Sequence, residues 1–161
     1  MKLSKQDLVA QLIEKAQDGV EILATAAESS RQDSIQAEGR MQTRYGCSKE
    51  LNGYLADGLN ARVSQRANDV GRLRSLRLPQ DPFSVQEGCL VRLEDVEGER
   101  FVDYFVLPCC GGENLETGNG ELTVVTPESP IGKAMFGLGF GDPFSVTLGN
   151  GEKQYRVANI T

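Results

Sequence analysis

Apolar residues recur at three- and four-residue steps through the first half of the chain and at two-residue steps through much of the second. In the first half, Leu8, Leu12, Ile13, Ala16, Val20, Leu23 and Ala27 form a narrow stripe of coiled-coil type. A helix is predicted from residue 4 to about residue 45. Ser4-x-x-Asp7 opens it as a capping box with Asp in place of the usual Glu or Gln. From Ser29 to Arg44 the segment turns polar, with Ile35 almost its sole large apolar residue, so it can project away from a core. Tyr45-Gly46-Cys47-Ser48 is the next punctuation, where Gly46 ends one helix and Ser48 caps another. Leu51, Leu55, Leu59, Val63, Ala67, Val70 and Leu73 carry that second helix to about Leu76. Two long helices joined by a tight turn read as an antiparallel hairpin.

Leu78-Pro79-Gln80-Asp81-Pro82 stops the helix and stiffens the join. The period then becomes that of strands. Cys89–Val96 and Arg100–Leu107 flank a turn at Glu97-Gly98-Glu99, and Pro108-Cys109-Cys110-Gly111-Gly112 breaks the second run. Glu121–Thr126 is a short strand. It leads into a short helix with both ends written in: Ser129 as N-cap, Pro130 at the first helical position, and Gly137 suited to the left-handed position past the end. Ile131, Met135 and Phe136 supply its apolar face. Phe144–Leu148 and Lys153–Ile160 close the chain around a Gly149-Asn150-Gly151 turn. The expected fold is α+β: a helical hairpin over 1–77, a linker over 78–86, and over 87–161 a mostly antiparallel sheet covered by one short helix.

Charge and cysteine usage narrow the chemistry. Residues 1–80 carry 12 Lys and Arg against 10 Asp and Glu, whereas residues 81–161 carry 5 against 13, so the two modules face different surroundings. The 161-residue chain contains no histidine, which removes Ser-His-Asp and Cys-His catalytic sites. Its cysteines, Cys47, Cys89, Cys109 and Cys110, make no C-x-x-C, and a structural zinc site is not expected. No apolar run approaches the roughly 20 residues that span a bilayer, and the N-terminus lacks the pattern of a signal peptide. A cytoplasmic protein with free thiols and no membrane partner is expected.

The string Ser129-Pro130-Ile131-Gly132-Lys133-Ala134, followed by Gly141-Asp142 and a terminal hairpin, resembles the C-terminal domain of the Gre family of bacterial transcript-cleavage factors. Tyr104–Pro108 with Gly111-Gly112 resembles the short Gre-related branch of that family. The resemblance implies an FKBP-like C-terminal domain that docks on RNA polymerase at the rim of its secondary channel, with Ser129, Pro130, Ile131, Gly132 and Lys133 as the polymerase-binding segment. It further implies that the hairpin enters the channel. There acidic tip residues hold a second Mg²⁺ of the polymerase active site, and nascent RNA is met only within the elongation complex. The family's tip reads Gly-Asp-x-x-Glu-Asn-Ala-Glu-Tyr; here Gly46, Glu50 and Tyr54 fall in register. Glu50 takes the place of the metal-contacting glutamate, and Cys47 stands where the aspartate should be. A thiol is a poor ligand for hard Mg²⁺.

Three further features enter with alternatives beside them. Asp33 and Glu38 are substitute carboxylates if the first helix breaks before them, or else a solvated face. Cys47 beside a helix N-terminus is either an inert surface thiol or a redox-sensitive one. Arg62, Arg66 and Arg72, with Arg74 and Arg77, are a solvated face or a contact for RNA or an acidic polymerase surface. The reading is of a monomeric accessory factor, not an enzyme by itself and with no cofactor of its own. It modulates pausing, backtracking or transcript cleavage, either as a weakened stimulator or as a non-cleaving competitor of cleavage factors. The alternatives are a prolyl isomerase, for which Phe101, Tyr104, Phe105, Phe136, Phe140 and Phe144 read better as core than as pocket, and an adaptor that dimerises through its hairpin.

Overall fold

The computed structural model describes residues 4–36, 46–98, 100–117, 120–149 and 151–161, with the side chains of 33–36, 46–53, 56 and 148 excepted. Glu38 and Asn150 therefore lie outside the described residues, as do the expected last turns of the first helix. The elements are α1 (Lys5–Gln36), α2 (Gly46–Arg74), β1 (Leu90–Asp95), β2 (Arg100–Val106), β3 (Asn114–Thr117), β4 (Gly120–Val125), α3 (Pro130–Met135), β5 (Pro143–Leu148) and β6 (Gly151–Ile160). No helix among them is long and apolar enough to cross a membrane. Contacts divide the chain into two compact units, Met1–Leu12 with Arg72–Thr161, and Ile13–Gly71.

In the first unit six strands form one sheet in the order β3-β4-β2-β1-β6-β5. Hairpins make β1 and β2, β3 and β4, and β5 and β6 antiparallel neighbours, and β1 also pairs antiparallel with β6. The β2–β4 pairing is parallel. It follows from β3, which reverses the chain at the sheet's edge so that β4 returns beside β2 in the same direction. The sheet is thus mixed, with antiparallel pairs predominating.

Strand alternation sorts the side chains onto two faces. Val91, Leu93, Val106, Val125, Val146, Tyr155 and Val157 meet Ile131 and Met135 of α3 and Val85 in one core. Tyr104 and Phe144 pack against that core, and Phe144 stacks on Tyr155 with ring centroids 5.7 Å apart. The register that pairs Phe105 with Val124 and Leu115 with Leu122 places those four on the opposite face, and all are buried. The same unit holds the first turns of α1 and the last turn of α2, where Leu8, Leu12 and Leu73 are buried. That the start of one helix and the end of the other fall together is the arrangement of an antiparallel pair.

The capping box at the start of α1 is formed as its sequence predicts. The Ser4 N–H donates to Asp7 Oδ2 at 2.9 Å and the Asp7 N–H to Ser4 Oγ at 3.2 Å. These bonds hold the Asp7 carboxyl below the usual carboxylate range, the Ser4 backbone N–H contributing most and its hydroxyl next. Helix α2 begins at Gly46, two residues before the expected cap at Ser48.

In the unit Ile13–Gly71, burial is sparse. Of the expected α1 stripe, Ala16 and Ala27 are buried here, while Ile13, Val20 and Leu23 are half-covered. On α2, Leu59 and Val63 are half-covered and Leu55 is exposed.

Candidate functional site

The segment Thr126–Gly137 is built around one carbonyl. Thr126 O accepts the Ser129 N–H at 3.0 Å and the Ser129 hydroxyl at 2.7 Å. The same Ser129 Oγ accepts the Gly132 N–H at 3.1 Å, the bond of an N-cap, and Pro130 follows at the first helical position. This folding back brings Gly132 against the turn. A Cβ on Gly132 would stand 2.0 Å from Thr126 O and 2.8 Å from Ser129 Oγ, so the position has room for glycine alone. At the other end the Phe136 N–H donates to Gly132 O at 2.9 Å, and Gly137 takes the left-handed conformation with φ +82°. The Gly137 N–H then donates to Val85 O, and the Val85 N–H to Leu138 O, both at 2.8 Å. These bonds and the Ser84–Gly139 bridge tie the linker's end to the end of α3.

The five residues of the candidate polymerase-binding segment divide by direction. Ile131 and Gly132 are buried, Ser129 is half-buried, and Pro130 and Lys133 are exposed. The first three are covered by the fold, and Pro130 and Lys133 lie at its surface. The same unit exposes apolar surface of a kind a sheet pattern does not predict. Phe83 is 97% exposed and Phe140 75%, on either side of the Ser84–Gly139 bridge, and Phe136 is 46% exposed. Phe101 is exposed as well. Expectation and structure differ here: of the six aromatic residues read as core, Tyr104, Phe105 and Phe144 serve it, whereas Phe101, Phe136 and Phe140 face outward. Phe101 shares a face with the buried Phe105 but stands at the exposed start of β2, and the two others sit where the chain leaves α3. Phe83 lies in the proline linker, where an apolar side chain has no strand face to bury it. Phe136 also edges a groove of about 470 Å³ lined by Leu76, Leu78, Pro79 and Gln86.

The tip candidates are placed by backbone alone. Cys47 and Glu50 lie three residues apart at the start of α2, and Asp33 lies near the end of the described part of α1. The donor set they offer is one glutamate and one thiol, with Asp33 on the other helix. That set does not fit a Mg²⁺ site belonging to this chain, since hard cations take several oxygen ligands. Among the described residues no group of three or more His, Cys, Asp or Glu could hold a metal ion. Arg62 and Arg72 are exposed on α2 and Arg66 is half-buried.

Comparison with known proteins bears on both parts. The family described as "Transcription elongation factor, GreA/GreB, C-term" matches residues 80–161. Over 160 residues the chain is 24% identical to a transcription elongation factor GreA from Alkaliphilus oremlandii (strain OhILAs), covering 96% of this chain and 94% of that protein. Among solved structures, the GreA factor homolog Gfh1 of Thermus thermophilus is similar over 92% of this chain and 94% of its own, with 19% identity and a TM-score of 0.40. A GreA/GreB factor from Nitrosomonas europaea is similar over 60% of this chain and 78% of its own, with 18% identity and a TM-score of 0.38. The match over residues 80–161 spans half of the chain and takes in the linker's end, the sheet and the capped α3 segment. The chain belongs to the GreA/GreB family of transcription elongation factors.

Proposed function

We propose that this chain binds RNA polymerase as a monomer, with its sheet domain at the rim of the secondary channel and its helical hairpin inside. There it modulates pausing and backtracking without promoting transcript cleavage. The observation that carries the reading is the family match over residues 80–161, joined to a preceding pair of long helices. The docking contact is Pro130 and Lys133, held in place by the Ser129 cap and the Gly132 close approach. The exposed Phe136 and Phe140 extend that contact with apolar surface, the kind of area that marks interaction sites.

The tip decides the effect. A pair of carboxylates would suit a metal shared with the polymerase, and Cys47 breaks the pair. Glu50 alone is a weak addition to a Mg²⁺ held by other oxygen ligands. The hairpin then acts by occupancy: it fills the channel, excludes true cleavage factors and leaves hydrolysis to the polymerase. Arg62 and Arg66 supply positive charge along α2 for an acidic channel wall or for RNA phosphates.

Binding of the fluorescently labelled full chain to purified bacterial RNA polymerase tests this reading. Saturable binding that an authentic GreA displaces is expected. Lys133→Glu should weaken it about fivefold, about 1 kcal/mol, the scale of one contributing interface residue. No binding to polymerase would overturn the proposal.

A further inference from the structure

We propose that Cys109 and Cys110 form a thiol–disulfide exchange site, two adjacent thiols turned toward each other beside Thr126, that low-molecular-weight disulfides convert reversibly to a vicinal disulfide. In a strand, neighbouring side chains point to opposite faces, which would hold adjacent thiols apart. Here the chain has left β2 at Val106, and Cys110 adopts φ +61°, the one non-glycine residue with positive φ among those described. That conformation is uncommon for a residue with a Cβ. With it, the two Sγ atoms lie 3.9 Å apart. Cys109 is buried at 6% exposure, and Cys110 is partly exposed and open to a small disulfide. The third described thiol, Cys89, is fully buried in the sheet core, and that burial pushes its pKa up, away from the reactive thiolate.

The chemistry balances with a disulfide as oxidant. The Cys110 thiol releases its proton, and its thiolate attacks one sulfur of oxidised glutathione, expelling a glutathione thiolate. The Cys109 thiolate then attacks the Cys110 sulfur, forming the Cys109–Cys110 bond and expelling the second glutathione thiolate. The two expelled thiolates take up the two protons released, so two protein thiols are oxidised and one disulfide is reduced. Neighbouring Cα atoms stand about 3.8 Å apart across a trans peptide. Ordinary disulfides span about 4.4–6.8 Å, so the closed ring is strained and easily reduced, as a reversible site requires.

The loop that carries the pair is in contact with the docking segment's anchor. A Cβ on Gly111 would lie 3.0 Å from Thr126 Cγ2, and the Gly112 N–H donates to Val124 O at 2.8 Å. Thr126 O is the acceptor on which Ser129 and the tight approach of Gly132 depend. Closing the ring must change the torsions at Cys110, and Gly111 passes that change to Thr126, at the start of the Thr126–Gly132 turn.

The test uses the full chain in a Cys47→Ser background, equilibrated with oxidised and reduced glutathione, trapped with an alkylating agent and mapped by mass spectrometry. The expected product is a peptide holding Cys109 and Cys110 that has lost two hydrogens, regained on reduction. Cys110→Gly keeps the left-handed turn without a Cβ, so it folds; it should give at most a glutathione adduct at Cys109. A Cys47→Ser chain that yields only glutathione adducts, or stays reduced, would overturn the site. Amide resonances of Thr126, Ser129 and Gly132 should move on oxidation in the Cys47→Ser chain and not when Cys110→Gly is added; unmoved resonances would overturn the link to the docking turn. None of these readouts involves polymerase, so the outcome is independent of the function proposed above.

Discussion

The sheet domain and the helical hairpin are stabilised on different terms. Around the sheet, Phe105, Leu107, Val124 and Met135 are fully covered, and each strand contributes to one of two apolar faces. In the unit Ile13–Gly71 the described buried residues are Ala16, Ala27 and Val70, and Leu55 stands 53% exposed. A domain with a filled core specifies itself. A hairpin with a narrow stripe contributes shape and reach, and its polar surface is free to change with its task.

The contrast makes graded predictions. Phe105→Ala should destabilise the protein by about 3–5 kcal/mol, read as a drop in the denaturant midpoint at constant slope. Leu55→Ala in the same assay should stay within about 0.5 kcal/mol. Equal losses would erase the distinction between the regions. Next in size is the α3 turn. Gly132→Ala drives a methyl group into Thr126 O and should cost about 1–3 kcal/mol, while Ser129→Ala, which removes the cap, should cost about 1 kcal/mol. A neutral Gly132→Ala would show that the close approach is not what fixes the turn.

The smallest effect lies at the start of α1. The folded carboxyl of Asp7 sits below its unfolded pKa, so its capping contribution is present above the ordinary carboxylate range. It is lost as pH falls through the lowered folded value. The Ser4 amide resonance should follow a titration with its midpoint below 3.8 and should stop responding in Asp7→Ala. A midpoint at or above 3.8 would contradict the capping box.

Much of this architecture was legible in the residues. The Ser4–Asp7 box, the capped helix at Ser129–Gly137 and the strands around Val91, Val102 and Val146 each carry a local signal at the right period. Strand β3 was not anticipated. Asn114-Leu115-Glu116-Thr117 offers one apolar residue in four, although Gly118-Asn119-Gly120 beside it is a hairpin signal that could have revealed it. The parallel β2–β4 pairing was hidden for a different reason: a period of two reports which side chains share a face, not which strand lies alongside or in which direction. At the candidate site, the string Ser129–Lys133 announced the capped helix that the structure shows. Which of its residues face inward became clear only from burial, because Ile131 answers to the sheet beneath it. Phe83 could not be assigned from periodicity at all, since it belongs to no periodic element.

The central claim is that the hairpin occupies the polymerase secondary channel without supplying the carboxylate pair for cleavage. Purified, deliberately backtracked elongation complexes test it most directly, with RNA 3′-end cleavage followed in the presence of this chain, its Glu50→Ala variant and an authentic GreA. The account predicts no acceleration by either form of the chain, and slowing of GreA-stimulated cleavage as the chain competes for the channel. Accelerated cleavage that Glu50→Ala abolishes would contradict it, showing that one carboxylate suffices to bring the metal.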